Sequence, residues 1–306
     1  MTNQPPPLFV LASPFSFRSV VSALIGGHPD AYAVPELNLL AAPTVEEYVG
    51  RFMGIPMHGL LRTIAQLYAG EQTMESTQLA RRWLLSRMSR STLQIYEEIR
   101  SKVAPLVLID RSTSYTDPQL RGESLRRTED AFPEARYLHL LRHPRSQGEA
   151  WFTSTAAVTM LMAVDSRDYE VDPPVVDPQV DWRRRNTSIL RFLSSIPAER
   201  HMRIRGEALL ADPKDHLRRI CRWLGLRWSD NVAARMLRTE RSSYSRMGPY
   251  GAEWGNNFDF QRSPALRPCP TQGIGLRGAL PWRVDGKGLT PEVVELAIRL
   301  GYEAPV

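Results

Sequence analysis

Cysteine is nearly absent from this chain: only Cys221 and Cys269 occur in 306 residues. Neither stands in a CxxC pair or at a metal-ligand spacing, which argues against a disulfide scaffold and a zinc site; no metal is expected. Cys221, inside HLRRICRWLGL, reads as a small apolar helix residue. Lysine is almost as scarce, with Lys102, Lys214 and Lys287 the only ones among 39 basic residues. No apolar run approaches the length needed to cross a bilayer, so no membrane span is expected. MTNQPPPLFVLASPF has no basic leader before its short apolar stretch, so it does not read as a signal peptide, and a reducing cytoplasm fits. Internal repeats and low-complexity tracts are also missing.

What is present suits one α/β domain of residues 1–306. Hydrophobic residues make up 42%, enough for a sizeable core, and the formal charge of +6 points to anionic partners. Those partners are nucleic acid, an acidic membrane or a polyanionic nucleotide. Arginine supplies the charge, and its planar fork suits phosphate and sulfate. A GC-rich genome would produce the same bias, so placement decides. The arginines do not alternate with exposed aromatics along one element, and no nucleic-acid partner is expected.

Leu8–Ala12, Leu106–Ile109, Tyr137–Leu141 and Met202–Arg205 read as strands, and each of the first three runs into a polar turn. Helical patterns cover Ser19–Gly26, roughly Met74–Lys102, Gln119–Ala131, Gln147–Met162, Asp181–Ser195, Pro213–Leu224 and Pro291–Leu300. Continuously apolar strands separated by helices predict a three-layer α/β/α fold around a central parallel sheet of four to five strands. Ligands of such sheets bind beyond the carboxyl ends of the strands, which places SPFSFRS, DRSTSY and RHPRSQ on one rim. Two loop insertions, near 169–181 and 242–288, are long enough to be functional.

Two segments could bind an anion. In LFVLASPFSFRSVVSALIGG a strand turns through a small polar loop into a helix, so helix-start N–H groups face the rim, with Ser16, Ser19 and Arg18 beside them. The plainer role is a strand–turn–helix capped by serine. The GxxxxGK[ST] loop of nucleotide hydrolases is absent. In ARYLHLLRHPRSQGEAW, Arg142 stands at a strand's carboxyl end, suited to a phosphate or simply to the surface.

Taken together, these segments resemble the sulfotransferase family that uses 3′-phosphoadenosine-5′-phosphosulfate (PAPS). The family shows a strand, PRSGSTLL and a helix ending in HP; here SPFSFRSVVSALIGGHPDAYAVPELNLL runs through His28-Pro29 to Glu36. Its DKSPxY segment corresponds to Asp110–Tyr115, and its fPdAkfIhLvRhPr to FPEARYLHLLRHPR. Its YEdLvadPeatLrrIcdFLGLpw corresponds to GEALLADPKDHLRRICRWLGLRW, Gly206 to Trp228. The closing LTPEVVELAIRLGYE also looks like the family's, so the resemblance covers nearly the whole chain, in order. It implies the P-loop-like sulfotransferase fold.

The resemblance implies that the Ser13–Val20 loop wraps the 5′-phosphosulfate, with Phe15, Ser16, Phe17, Arg18, Ser19 and Val20 as donor-site residues. The family carries Lys or Arg where this chain has Phe15, and glycine where it has Phe17. Arg18 is then the replacement cation for sulfuryl transfer, with Arg111 next in line. Arg142 matches the binder of the 3′-phosphate. Its partner serine is Ala150 here, which leaves Ser146 and Ser154 as stand-ins. In the late loop GLRGALPWR, the candidates for donor contacts are Arg277, Gly278, Trp282 and Arg283, with Trp282 stacking on adenine.

Sulfuryl transfer also needs a general base to deprotonate the acceptor. Glu36 is the first choice, because several bacterial branches of the family carry a glutamate after the HP; its plainer role is a carboxylate at a helix start. His58 is the second. His139 reads as a satisfied strand residue and His143 as part of the RHP turn. Phe52, Met53, Met57, Trp151, Phe152, Met160, Met162, Tyr244, Tyr250 and Trp254 around the rim imply a small apolar or aromatic acceptor, although core packing explains at least half of them. The activity implied is sulfonate transfer from PAPS to a hydroxyl or amine, in bacterial secondary metabolism. The alternative is a non-catalytic relative that binds a nucleotide or metabolite. Homodimerisation is left open.

Overall fold

The computed structural model describes residues 4–120, 122–154, 164–267 and 274–302. Its strands, in chain order, are β1 (Leu8–Leu11), β2 (Ala31–Ala33), β3 (Val107–Asp110), β4 (Arg136–Leu141), β5 (Arg167–Asp168), β6 (Val175–Val176) and β7 (His201–Arg205). Five of them form one sheet in the order β2-β3-β1-β4-β7, and every pairing in it is parallel. The expected parallel sheet is therefore present, with five strands. β2 was not anticipated: three residues between His28-Pro29 and Pro35 are too few to show a periodicity.

Side-chain alternation along β1 explains the layers. Phe9 and Leu11 enter one apolar cluster with Leu108, Tyr137 and the helices Val45–Phe52, His58–Ala69 and Thr92–Val103. Leu8 and Val10 enter a second with Ile109, Leu138 and the helices Arg18–Gly26 and Pro213–Leu224. Successive strand residues point to opposite faces, so two separate clusters mean that both faces are covered. Cys221 is fully buried in the second cluster, 3.9 Å from the Met236 sulfur, and burial pushes its thiol up to about 11. Cys269, Met160 and Met162 lie outside the described residues.

The single helix expected over Met74–Lys102 is two, Met74–Leu85 and Thr92–Val103. Ser91 accepts from Gln94 N and Gln94 accepts from Ser91 N, a reciprocal cap that starts the second helix. The signal, Ser-x-x-Gln, was inside the periodic run. The helix expected from Gln147 begins at Pro144, and the one expected from Asp181 begins at Pro178. Proline lacks only the N–H that a first-turn residue leaves unbonded, so both starts are natural. The proline- and acid-rich insertion near 169–181 contains the β5–β6 hairpin, paired antiparallel, before that helix begins.

Candidate active site

Because the main sheet is parallel, the segments after β1, β2, β3 and β4 leave from one edge, and the site is built there. The loop after β1 has two phenylalanines in the left-handed region, Phe15 and Phe17, each at φ 60°. A bulky residue there is strained by roughly 1–3 kcal/mol, which packing must offset. The ring of Phe15 lies 5.5 Å from that of Trp151, and Gln147 donates to the Pro14 carbonyl at 3.0 Å. Phe17 precedes the helix Arg18–Gly26 without giving it a side-chain cap, and the first turn holds no acid. Its first N–H groups thus lack the usual local acceptors, a setting that favours an anion. Ser16 is paired with Ser13 at 3.0 Å, Ser19 accepts from Asn257 N at 3.0 Å, and Val20 packs on the second cluster.

Arg142 comes to this loop from the end of β4. It donates to the Phe15 carbonyl at 2.7 Å and to Ser146 at 3.3 Å, and its guanidinium carbon stands 4.3 Å from the Phe17 ring centroid. Its own carbonyl accepts from the Trp182 indole at 2.9 Å, and the next N–H, of His143, is taken by buried Glu207 at 2.7 Å. Ser146 thus holds the arginine, whereas Ser154 donates to Asp259.

Glu36 follows β2. Arg18 approaches its Oε1 at 3.3 Å, Arg111 at 3.5 Å, and the Thr113 hydroxyl donates to it at 2.7 Å. All three take the same oxygen, and the side chain remains one-quarter exposed. Burial lowers both arginines, with Glu36 opposing; Arg111 falls to about 10. Arg18 also donates to the Arg111 carbonyl at 2.7 Å. Asp110 organises the turn beneath, accepting from Ser112 and Tyr115, and burial raises its carboxyl to about 6. Arg111 further binds the Gly255 carbonyl at 2.7 Å and the Asn256 side chain. His58 accepts from Trp254 N at 3.3 Å and lies 3.6 Å from Glu253; burial lowers its pKa, with Glu253 opposing. The neighbouring Gly59 abuts the Glu36 carbonyl so closely that an added Cβ would stand 2.2 Å away.

The late loop is held by a residue that pattern reading passed over. Arg145 donates to the carbonyls of Gly275, Arg277, Gly278 and Ala279 at 2.6–3.2 Å. The only sequence signal was a second arginine in RHPR. Arg277 and Gly278 are exposed; Trp282 packs on Gly148 and stacks with Phe152, its ring centroid 6.0 Å away. Arg283 has another task from the one expected. It is buried and bound to Asp168, Asp177 and Asp285, so it ties the β5–β6 hairpin to this loop, and its donors are committed to carboxylates. Of the expected acceptor-side residues, Met57, Trp151 and Tyr244 are core, whereas Met53, Phe152 and Tyr250 are exposed.

A family model described as the Sulfotransferase family matches residues 6–230. The chain belongs to the sulfotransferase family. No curated protein matches it. Among solved structures, this sulfotransferase is similar to the "Sulfotransferase Domain from the Synechococcus PCC 7002 Olefin Synthase", at 24% identity and TM-score 0.74, covering 100% of this chain and 98% of the other. It is also similar to the "Sulfotransferase Domain from the Curacin Biosynthetic Pathway", at 22% identity and TM-score 0.70, covering 98% and 99%. A third, sulfotransferase STF9 from Mycobacterium avium, matches at 16% identity and TM-score 0.51, covering 98% and 78%. At these identities the likeness concerns the fold. Among the described residues, no helix is long and apolar enough to cross a membrane, and no cluster of His, Cys, Asp or Glu could hold a metal.

Proposed function

We propose that this sulfotransferase moves a sulfonate group from PAPS to a hydroxyl or amine of a small apolar or aromatic acceptor. The observation that carries the reading is the convergence at one rim: Arg142 on the first loop at 2.7 Å, and Arg18 and Arg111 on Glu36 at 3.3 and 3.5 Å. Among the described residues, the buried Arg18 Nε, Gln147 Oε1 and Trp151 Nε1 have no hydrogen-bond partner, which fits a site whose polar lining is completed by a bound nucleotide. In this reading the loop N–H groups of Phe15 to Ser19 hold the 5′-phosphosulfate and Arg142 binds the 3′-phosphate. Arg277, Gly278 and Trp282 flank the nucleotide.

When bound, the donor supplies a sulfonate attached to a good leaving group. Glu36 takes the acceptor's proton on Oε2, while Arg18, Arg111 and Thr113 fix Oε1 and so aim the carboxylate. The acceptor oxygen or nitrogen bonds to sulfur as the bond from sulfur to the bridging oxygen breaks. Arg18, with the helix start, faces the charge that grows on that oxygen. His58 stands beside the Glu36 segment as the second candidate base. Exposed Met53, Phe152 and Tyr250 support an apolar acceptor. The two similar structures, one from a biosynthetic pathway and one from an olefin synthase, support a place in secondary metabolism. The protein acts in the cytoplasm.

Calorimetry with 3′-phosphoadenosine 5′-phosphate, followed by mass spectrometry of candidate acceptors with PAPS, tests this. Binding and a mass gain of one sulfonate are expected. A protein that ignores the bisphosphate, or prefers long nucleic acid, would end the reading; one that binds it and transfers to no acceptor would be the non-catalytic relative.

A further inference from the structure

Phe17 sits in left-handed backbone where the family pattern has glycine, and Gly206 sits where that pattern has tyrosine. The structure joins the two departures. A Cβ added at Gly206 would stand 2.4 Å from Phe17 Cδ2 and 3.1 Å from the Leu141 carbonyl, so the Phe17 ring occupies the space that a side chain at 206 would need. That same ring lies 4.3 Å from the Arg142 guanidinium carbon, within cation–π range. Arg142 also donates to the Phe15 carbonyl and to Ser146, so its guanidinium is tethered beside this ring. Strained backbone persists only where its surroundings over-determine it, and here the strained residue supports the charged one.

We infer that Phe17 is a positioning residue for Arg142, an aromatic platform that aims the guanidinium at the 3′-phosphate, and that Gly206 is the matched void that admits it. Phe17 of the first loop and Gly206 at the start of the helix Gly206–Ala211 thus form one fitted pair beside Arg142. The inference rests on Arg142 as the 3′-phosphate binder. It adds that this chain's recognition of that phosphate is tuned from the phosphosulfate loop, so the two ends of the nucleotide are read by one structural unit.

The decisive quantity is discrimination: affinity for 3′-phosphoadenosine 5′-phosphate divided by affinity for 5′-AMP, which lacks the 3′-phosphate, measured by calorimetry on the full chain. The wild-type ratio should be on the order of tenfold to a hundredfold, as for one charge-assisted contact. Phe17→Leu keeps apolar bulk but removes the ring, and should reduce the ratio about fivefold to tenfold with 5′-AMP affinity little changed. Phe17→Tyr keeps the ring and should restore it. The double variant Phe17→Gly with Gly206→Tyr returns the aromatic from the other side and should lie within about threefold of wild type. Gly206→Ala pushes the ring without removing it, and decides the same question if Phe17→Leu does not fold. A wild-type ratio retained in Phe17→Leu or Gly206→Ala overturns the inference and leaves the donor reading intact. A wild-type protein that binds both nucleotides equally overturns the donor reading, and the inference with it.

Discussion

The rim presents two arginines, Arg18 at the end of the first loop and Arg142 against it, and they are seated by different means. Arg142 rests on a backbone carbonyl, a hydroxyl and an aromatic ring, whereas Arg18 faces a carboxylate at 3.3 Å and a carbonyl at 2.7 Å. Contacts to dipoles and a ring set the position of the Arg142 guanidinium beside the loop. Seating against a carboxylate balances the charge of Arg18 and fixes the carboxylate's direction. In the proposed function, donor binding falls to Arg142 and proton transfer to Glu36, and that division can be broken by experiment.

The largest effect should follow loss of the acceptor-side carboxylate. Glu36→Gln keeps the shape and the Thr113 contact but removes the base, and turnover should fall by about a hundredfold to ten-thousandfold. Affinity for 3′-phosphoadenosine 5′-phosphate should hardly move. Unchanged turnover would shift the role to His58, the other candidate on that side. Arg18→Ala is expected to lower turnover by on the order of a hundredfold, the usual effect of losing a donor aimed at developing charge. A near-normal rate would leave Arg111 as the acting cation.

On the binding side, Arg142→Ala should weaken the bisphosphate by about 2 kcal/mol, roughly thirtyfold, with little change in Tm. Should turnover fall instead while affinity holds, the two arginines have exchanged roles and the comparison fails.

The last effect is on stability rather than on activity, and it concerns the turn that carries Arg142. His143 caps the helix Pro144–Thr153 by accepting from Arg145 N at 3.2 Å, and burial, aided by Arg145, lowers it to about 4. The folded state therefore binds fewer protons than the unfolded chain between about 4 and 6.5, and stability is lost as pH falls through that window. At pH 5 the loss from this group is about 2 kcal/mol. His143→Asn keeps a capping acceptor, so denaturant unfolding at pH 7 and pH 5 should differ less than in wild type by about that amount. Equal losses in both proteins would mean that His143 is not held neutral.

Much of this was legible in the chain itself. Apolar runs at Leu8, Leu106 and Tyr137 and the helices between them specify a parallel sheet, because each run is continuous and the patterns between are long enough for crossovers. Position after the strands also brought SPFSFRS and Arg142 forward as site candidates, and the family resemblance brought Glu36. Local patterns failed where they are too short, as at β2, or where a cap interrupts a periodic run, as at Ser91. They failed more often where the partner is remote in sequence. Arg145 meets carbonyls 130 to 134 residues away, and Arg283 binds Asp177 at a separation of 106. A guanidinium has the same letter whether it serves a ligand, a carboxylate or a loop, so its task depends on which neighbours the fold delivers. The sequence by itself determined four of the five strands of the main sheet, their common edge and the kinds of groups gathered there. Only the tertiary structure decided that Phe17 lies over Gly206 beside Arg142 and that one oxygen of Glu36 is shared by three donors, because those contacts depend on angstrom-scale approach between segments that no local pattern encodes.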